Sequence, residues 1–331
     1  MFDRSTIQAL CYVAKLVDVK KRVDTTKLIG VFGKGKYMDK KSICYILVSA
    51  LLLLLVAYVS KVSAWGNGGY SSDPNNPDYG THDWVAQHAL DWLPAEEKQY
   101  ILDNLATYLY GTELPDNGEA PDGIGDTAKH HVYFNSAGAL MENDAAVRAS
   151  EEYDSALYYL TIEDATNAAK HVGIMSHYIV DVAVFGHVMG VDTDWGVEQH
   201  HSDYENYVNA QTSNYCDDFN SYLSFDGALT FLSAYNATKN LAYDTTFDEG
   251  GVLTCVWMDE NYSWSNPTFR DRCGESLNLA VNILADVLHT LYIQAIPEFP
   301  AEAMLPLFLF TTLIIALITL KRGKDVKHSA L

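Results

Sequence analysis

The chain has 331 residues, 48% of them apolar and 20% charged, the balance of a folded globular protein, which excludes a disordered or low-complexity chain. Its formal charge of −21 is concentrated in residues 65–295, where 7 basic residues stand against 36 acidic ones. A surface so acidic repels nucleic acid and anionic bilayers at long range, so no nucleic acid partner is expected.

Residues 43–60 form an uncharged run of 18 residues, preceded by Lys40 and Lys41 and followed by Val62-Ser63-Ala64, small residues of the kind a signal peptidase cuts after. Residues 1–64 are therefore expected to be a leader and signal peptide, with Met38 as an alternative start. Cleavage after Ala64 would make Trp65 the first exported residue; an uncleaved anchor is the alternative. In both cases the basic flank places residues 65 onward outside the cytoplasm.

A Gly/Asn/Pro-rich lead-in covers 65–80 and must be a loop. From Thr81 the pattern turns helical: Val85, Ala89, Leu90 and Leu93 recur at three- and four-residue spacing until Pro94 stops the helix. Further helices are predicted over 95–110, 136–150, 151–160, 163–185, 202–212, 228–242 and 274–295, with a Gly/Pro/Asp-rich loop at 111–129. Only 251–257 hints at a strand. The expected fold class is all-α, one multi-helix domain over 65–295. Three cysteines fall in it, Cys216, Cys255 and Cys273, and Cys255 with Cys273 is the expected pair if a disulfide forms.

Nine of the 11 histidines lie between 82 and 201. His177, Asp181, His187, His201 and Glu205 have an ordered spacing in which His177 with Asp181, and His201 with Glu205, share a helical face. Imidazole with carboxylate is a donor set that zinc accepts when no thiolate is offered. His187 follows Gly186, where the chain can bend toward the second pair. His82, Asp116, His130 and His131 offer further donors of the same kind upstream. Any one of these residues alone would read as an ordinary surface or core histidine; the ordered set does not.

The pattern H-x3-D-x5-H-x13-H-x3-E over 177–205 resembles the signature of the zinc-dependent phospholipase C family of secreted bacterial enzymes. Gly111 to Asp116 resembles that family's glycine-to-aspartate loop, His131-Val132-Tyr133 its H-F-Y element (with His130 an adjacent competitor), and Thr81-His82-Asp83-Trp84 the helix carrying its first histidine. The resemblance implies three zinc ions: one held by Asp116, His131, His177 and Asp181, a second by His187, His201 and Glu205, and a third by Trp65, through its free amine and carbonyl, with His82 and a bridging Asp181. It also implies Asp116 as general base. Clustered zinc would lower the pKa of bound water to about 7 and neutralise phosphate oxygens. Asn117 stands where choline-cleaving members place an aromatic residue, so head-group specificity does not transfer.

At the C-terminus, 303–320 is a second apolar run, closed by Lys321, Arg322 and Lys324 and preceded by Ile296-Pro297-Glu298-Phe299-Pro300. Residues 296–331 resemble the PEF-CTERM sorting signal of archaeal surface proteins, which implies sortase processing; a simple membrane anchor is the alternative. The expectation is an extracellular, zinc-dependent phosphodiester hydrolase acting on a phospholipid-type substrate at the cell surface. The alternatives are the sister single-strand nuclease family, or a phosphatase, on the same fold, and a non-catalytic surface protein with structural zinc.

Overall fold

The computed structural model describes residue 75, residues 77–296 and positions 309, 310, 312 and 314 of the C-terminal apolar run. These belong to one compact unit, Val62–Leu331. The expected leader at 1–64, Trp65 and most of the expected sorting signal at 296–331 lie outside the described residues.

The helical class expected from the sequence is what the chain adopts. In order, the helices are α1 (Thr81–Ala89), α2 (Ala95–Leu102), α3 (Leu105–Glu113), α4 (Asp144–Thr161), α5 (Ala165–Asp181), α6 (His201–Thr212), α7 (Ala234–Phe247), α8 (Cys255–Glu260) and α9 (Pro267–Ala295). The predicted 95–110 helix is two pieces, and the two predicted over 136–160 are one. The strand hinted at 251–257 is absent: Thr254 accepts the amide of Trp257 and starts α8 there. A short antiparallel pair, β1 (Tyr133–Phe134) with β2 (Leu140–Glu142), stands ahead of α4 instead.

Helix α5 is the axis of the fold. It begins at Asp164, whose side chain accepts the amide of Asn167, and is buried without a break from Val172 to Asp181. It packs against α1, α2, α3, α4, α7 and α9. Its crossing with α3 is a backbone-to-backbone contact between glycines. A Cβ on Gly173 would overlap the carbonyl of Tyr108, and one on Gly111 would overlap the carbonyl of Lys170. Only residues without a side chain allow that approach.

Helix α9 starts with an Asn266 cap and Pro267 in its first turn. It is the one helix among the described residues long and apolar enough to cross a membrane, yet 67% of its most apolar window is buried in the domain, as befits a core helix. One stripe of it, four residues apart, replaces a strand partner. Asn278 accepts the amide of Ser224, Asn282 that of Asp226, Asp286 that of Thr230 and Thr290 that of Leu232. The extended segment 224–232 is thereby strapped to the helix without a sheet.

The expected disulfide does not form; Cys216, Cys255 and Cys273 are free thiols. Cys255 and Cys273 sit in the apolar core, where burial pushes both thiols up to about 12. They pack as small hydrophobic side chains.

Candidate metal centre

Six segments, α5 among them, converge at the C-terminal end of α5. Helix α1 brings His82, the loop after α3 brings Asp116, the segment before β1 brings His130, and the last turn of α5 brings His177 and Asp181. A short turn at Phe185–Val188 carries His187, and the first turn of α6 carries His201 and Glu205. All eight side chains are buried or nearly so. They fall into three donor groups, each with its ligand atoms within 4.8 Å of one another: His82–His177–Asp181, Asp116–His130–His177 and His187–His201–Glu205.

Asp181 joins the first two groups. Its Oδ1 lies 3.2 Å from His82 Nε2, and its Oδ2 lies 3.0 Å from His177 Nε2 and 2.8 Å from His130 Nδ1. Asp116 Oδ1 closes the same group at 3.4 Å from His130 Nδ1. In the third group, Glu205 Oε1 lies 2.8 Å from His201 Nε2 and 3.3 Å from His187 Nε2. Glycine matters here too: a Cβ on Gly186 would occupy the space of the His201 ring.

The imidazoles are held from behind. His177 Nδ1 donates to the carbonyl of Thr112 at 2.6 Å, a contact the Gly111–Gly173 crossing makes possible. His187 Nδ1 donates to the carbonyl of His130 at 2.9 Å. Each leaves Nε2 as the electron-pair donor facing the carboxylates.

The electrostatics are those of a cation site. Burial would push the Asp181 carboxyl up, but the imidazoles of His177, His187, His130 and His82 outweigh it and hold the group well below the usual carboxylate range. Burial pushes Glu205 up to about 8, against the pull of His201. Burial favours neutral imidazoles, yet Asp181 and Asp126 draw His130 up to about 10, and Glu198 and Glu205 draw His201 up to about 10. Metal binding at these groups must displace protons.

Zinc fits these residues. Both carboxylate oxygens of Asp181 and Glu205 Oε2 are fully buried and accept no hydrogen bond among the described residues. A buried anionic oxygen left in that condition costs several kcal/mol, on the order of what a bound cation would return. The donor set is nitrogen and oxygen without thiolate, which suits zinc.

The structure exchanges one expected ligand for its neighbour. His130, not His131, turns into the cluster; it ends the short helical turn at Thr127–Lys129, with φ −95° and ψ 13°. His131 stacks on the His187 ring with centroids 5.1 Å apart, and faces a cavity of about 320 Å³ lined also by Asp116, His187, Glu198 and His201. Trp65, expected at the His82 group, lies outside the described residues. Asn117 is buried, with its side-chain oxygen accepting the amide of Ala120, and does not line that cavity.

Sequence reasoning missed Asp259. On α8, it accepts the amides of Gln199 and His200 at 2.9 and 3.0 Å and faces His200 Nδ1 at 3.1 Å. It thereby holds the start of α6, and with it His201. Nothing local marks Asp259; its partners are about sixty residues away.

No curated protein matches this chain. Among solved structures it resembles the alpha toxin from Clostridium absonum, at 14% identity and a TM-score of 0.47, over 70% of this chain and 66% of that one. It also resembles the Clostridium perfringens alpha-toxin isolated from an avian strain, at 12% identity and a TM-score of 0.41, over 69% of this chain and 65% of that one. The chain thus spans just under two thirds of the length of either toxin. The sequence model of zinc dependent phospholipase C matches residues 81–250, a stretch that takes in all eight clustered donors and makes up more than half of the chain, and the chain belongs to that family.

Proposed function

We propose that this domain is an extracellular zinc-dependent phosphodiester hydrolase acting on a phospholipid-type substrate. The observation that carries the reading is the Asp181 carboxylate, with one oxygen toward His82 and the other toward His130 and His177, together with the separate His187–His201–Glu205 group and a cavity lined by members of the cluster. His82 and Asp181 would hold one zinc, with the Trp65 amine and carbonyl as the further donors that the family resemblance suggests, since the single free nitrogen of His177 can serve only one metal. Asp116, His130, His177 and Asp181 would hold another, and His187, His201 and Glu205 the third. Three protein ligands at the last group suit a catalytic rather than a closed structural site. When bound, zinc supplies Lewis acidity toward the phosphoryl oxygens and toward an attacking water.

The chain's own residues do the rest. Asp116 belongs both to the donor cluster and to the cavity wall, so it is the carboxylate placed to take the proton of an attacking water. Burial raises its pKa above the ordinary carboxylate value, against the pull of His177 and His130. Thr112 and His130 fix the imidazole tautomers through their carbonyls, and Gly186 leaves room for His201. His131 and Glu198 line the cavity and would meet the substrate.

Extracellular placement is supported by the basic-flanked apolar run at 43–60, and membrane attachment by the run at 303–320 with its basic end; sortase processing rests on the sequence around Pro297. The test is to assay the zinc-loaded full-length chain on phospholipid vesicles, p-nitrophenyl phosphocholine and single-stranded DNA. Release of phosphorylated head groups from lipid is the expected result. Cleavage of DNA alone would move the protein to the nuclease reading, and inactivity on all three with zinc bound would leave a structural role.

A further inference from the structure

His130 departs from the other clustered histidines. His82, His177, His187 and His201 turn Nε2 toward the carboxylates of the centre, whereas His130 turns Nδ1 toward Asp181 and Asp116. Its Nε2 points the opposite way, 3.5 Å from Asp126 Oδ1. Among the described residues no backbone carbonyl accepts a hydrogen bond from this ring in the way that Thr112 backs His177 and His130 backs His187, and the 3.5 Å contact with Asp126 is longer than a well-formed hydrogen bond.

Asp126 is itself held rigidly. Its Oδ1 accepts the hydroxyl of Tyr178 at 2.7 Å and its Oδ2 accepts Nε of Arg148 at 2.9 Å. Its amide donates to the carbonyl of Pro115, next to Asp116, at 3.0 Å. The Arg148 guanidinium lies 5.0 Å above the Tyr178 ring and reaches on to Glu151 and Glu152. Tyr178 is the residue after the ligand His177, so one clamp ties the Asp116–Asp126 loop to α4 and α5. A carboxylate behind an imidazole fixes its tautomer, orients its ring and raises its basicity toward a metal.

We propose that Asp126 is a positioning residue for the metal centre: it holds the Nε2 proton of His130, so that Nδ1 is the atom offered to zinc. This rests on the reading of the cluster as a zinc centre. The carboxylate does what backbone carbonyls do for His177 and His187, and it is required because His130 is mounted the other way round. The Arg148–Tyr178 clamp serves to hold that carboxylate in place.

The test compares the unmutated full-length chain with Asp126→Ala and Asp126→Asn, all zinc-loaded and titrated with a competing chelator. In Asp126→Ala one zinc is expected to leave at a chelator concentration about ten- to a hundredfold lower, the range measured for such outer carboxylates. In Asp126→Asn, whose amide oxygen can still accept the Nε2 proton, most of that loss is recovered. Long-range ¹H–¹⁵N spectra of the unmutated protein are expected to show His130 protonated on Nε2, and the absorption spectrum of the cobalt-loaded protein is expected to change in Asp126→Ala. Equal zinc retention in Asp126→Ala, or a proton on Nδ1 of His130, overturns the inference. The second result needs no variant and stands if Asp126→Ala does not fold. An unmutated chain that takes up no zinc fails earlier, and takes the metal-centre reading down with it.

Discussion

His82 Nε2 lies 3.2 Å from Asp181 Oδ1, the oxygen that His130 and His177 do not face. The two halves of one carboxylate thus serve two donor groups, and Asp181→Asn should harm both, whereas His82→Ala should harm one. Native mass spectrometry is expected to show two zinc ions lost or weakened in Asp181→Asn and one in His82→Ala. Equal losses would argue against a bridge.

The third group is separable. Glu205→Gln or His187→Ala should remove one zinc and most turnover, with far-ultraviolet circular dichroism nearly unchanged, because α6 is also held by the Thr81–Thr212 hydroxyl contact and by Asp259. Full turnover with three zinc ions retained would refute the assignment.

His130 and His131 should separate metal binding from substrate contact. His130→Ala is expected to lose zinc. His131→Ala is expected to keep the full complement and lower kcat/KM by about tenfold, a change of about 1.4 kcal/mol in transition-state stabilisation. Metal counting beside steady-state kinetics reads both.

Gly186→Ala places a methyl group in the volume of the His201 ring. Overpacking of this kind costs about 1–3 kcal/mol. The expected outcome is a lower melting temperature together with loss of the zinc held by Glu205; a wild-type zinc count would show that the ring has room to move.

Much of this centre was legible in the sequence, for a physical reason. His177 with Asp181 and His201 with Glu205 are four apart on helices, and that spacing alone puts two donors on one face. His187 was legible through its place in the ordered set, and the structure adds that Gly186 is needed for the His201 ring rather than for a bend alone. The choice between His130 and His131 was not legible, because it turns on the backbone bend that closes the Thr127–Lys129 turn, and nothing in the adjacent residues marks which imidazole that bend aims inward. The backing of His177 by Thr112 was invisible because a carbonyl carries no residue identity, and Asp259 because its partners come together only in the fold. The β1–β2 pair, five residues in all, is too short to show an alternating pattern.

Stability should follow the metal. If zinc binds the folded chain alone, free zinc at about a thousand times its dissociation constant contributes about 4 kcal/mol per site. Chelation is therefore expected to lower the melting temperature, and added zinc to restore it. A melting temperature indifferent to chelator would speak against occupied sites in the core.

The most direct measurement is an anomalous difference map at the zinc absorption edge, from crystals of the zinc-loaded protein. The account predicts a peak about 2.0–2.2 Å from the Nε2 atoms of His187 and His201 and from the Glu205 carboxylate. It predicts two further peaks on either side of the Asp181 carboxylate, one toward His82 and one toward His130. Absence of anomalous density between these side chains, in crystals where zinc was supplied, would contradict it.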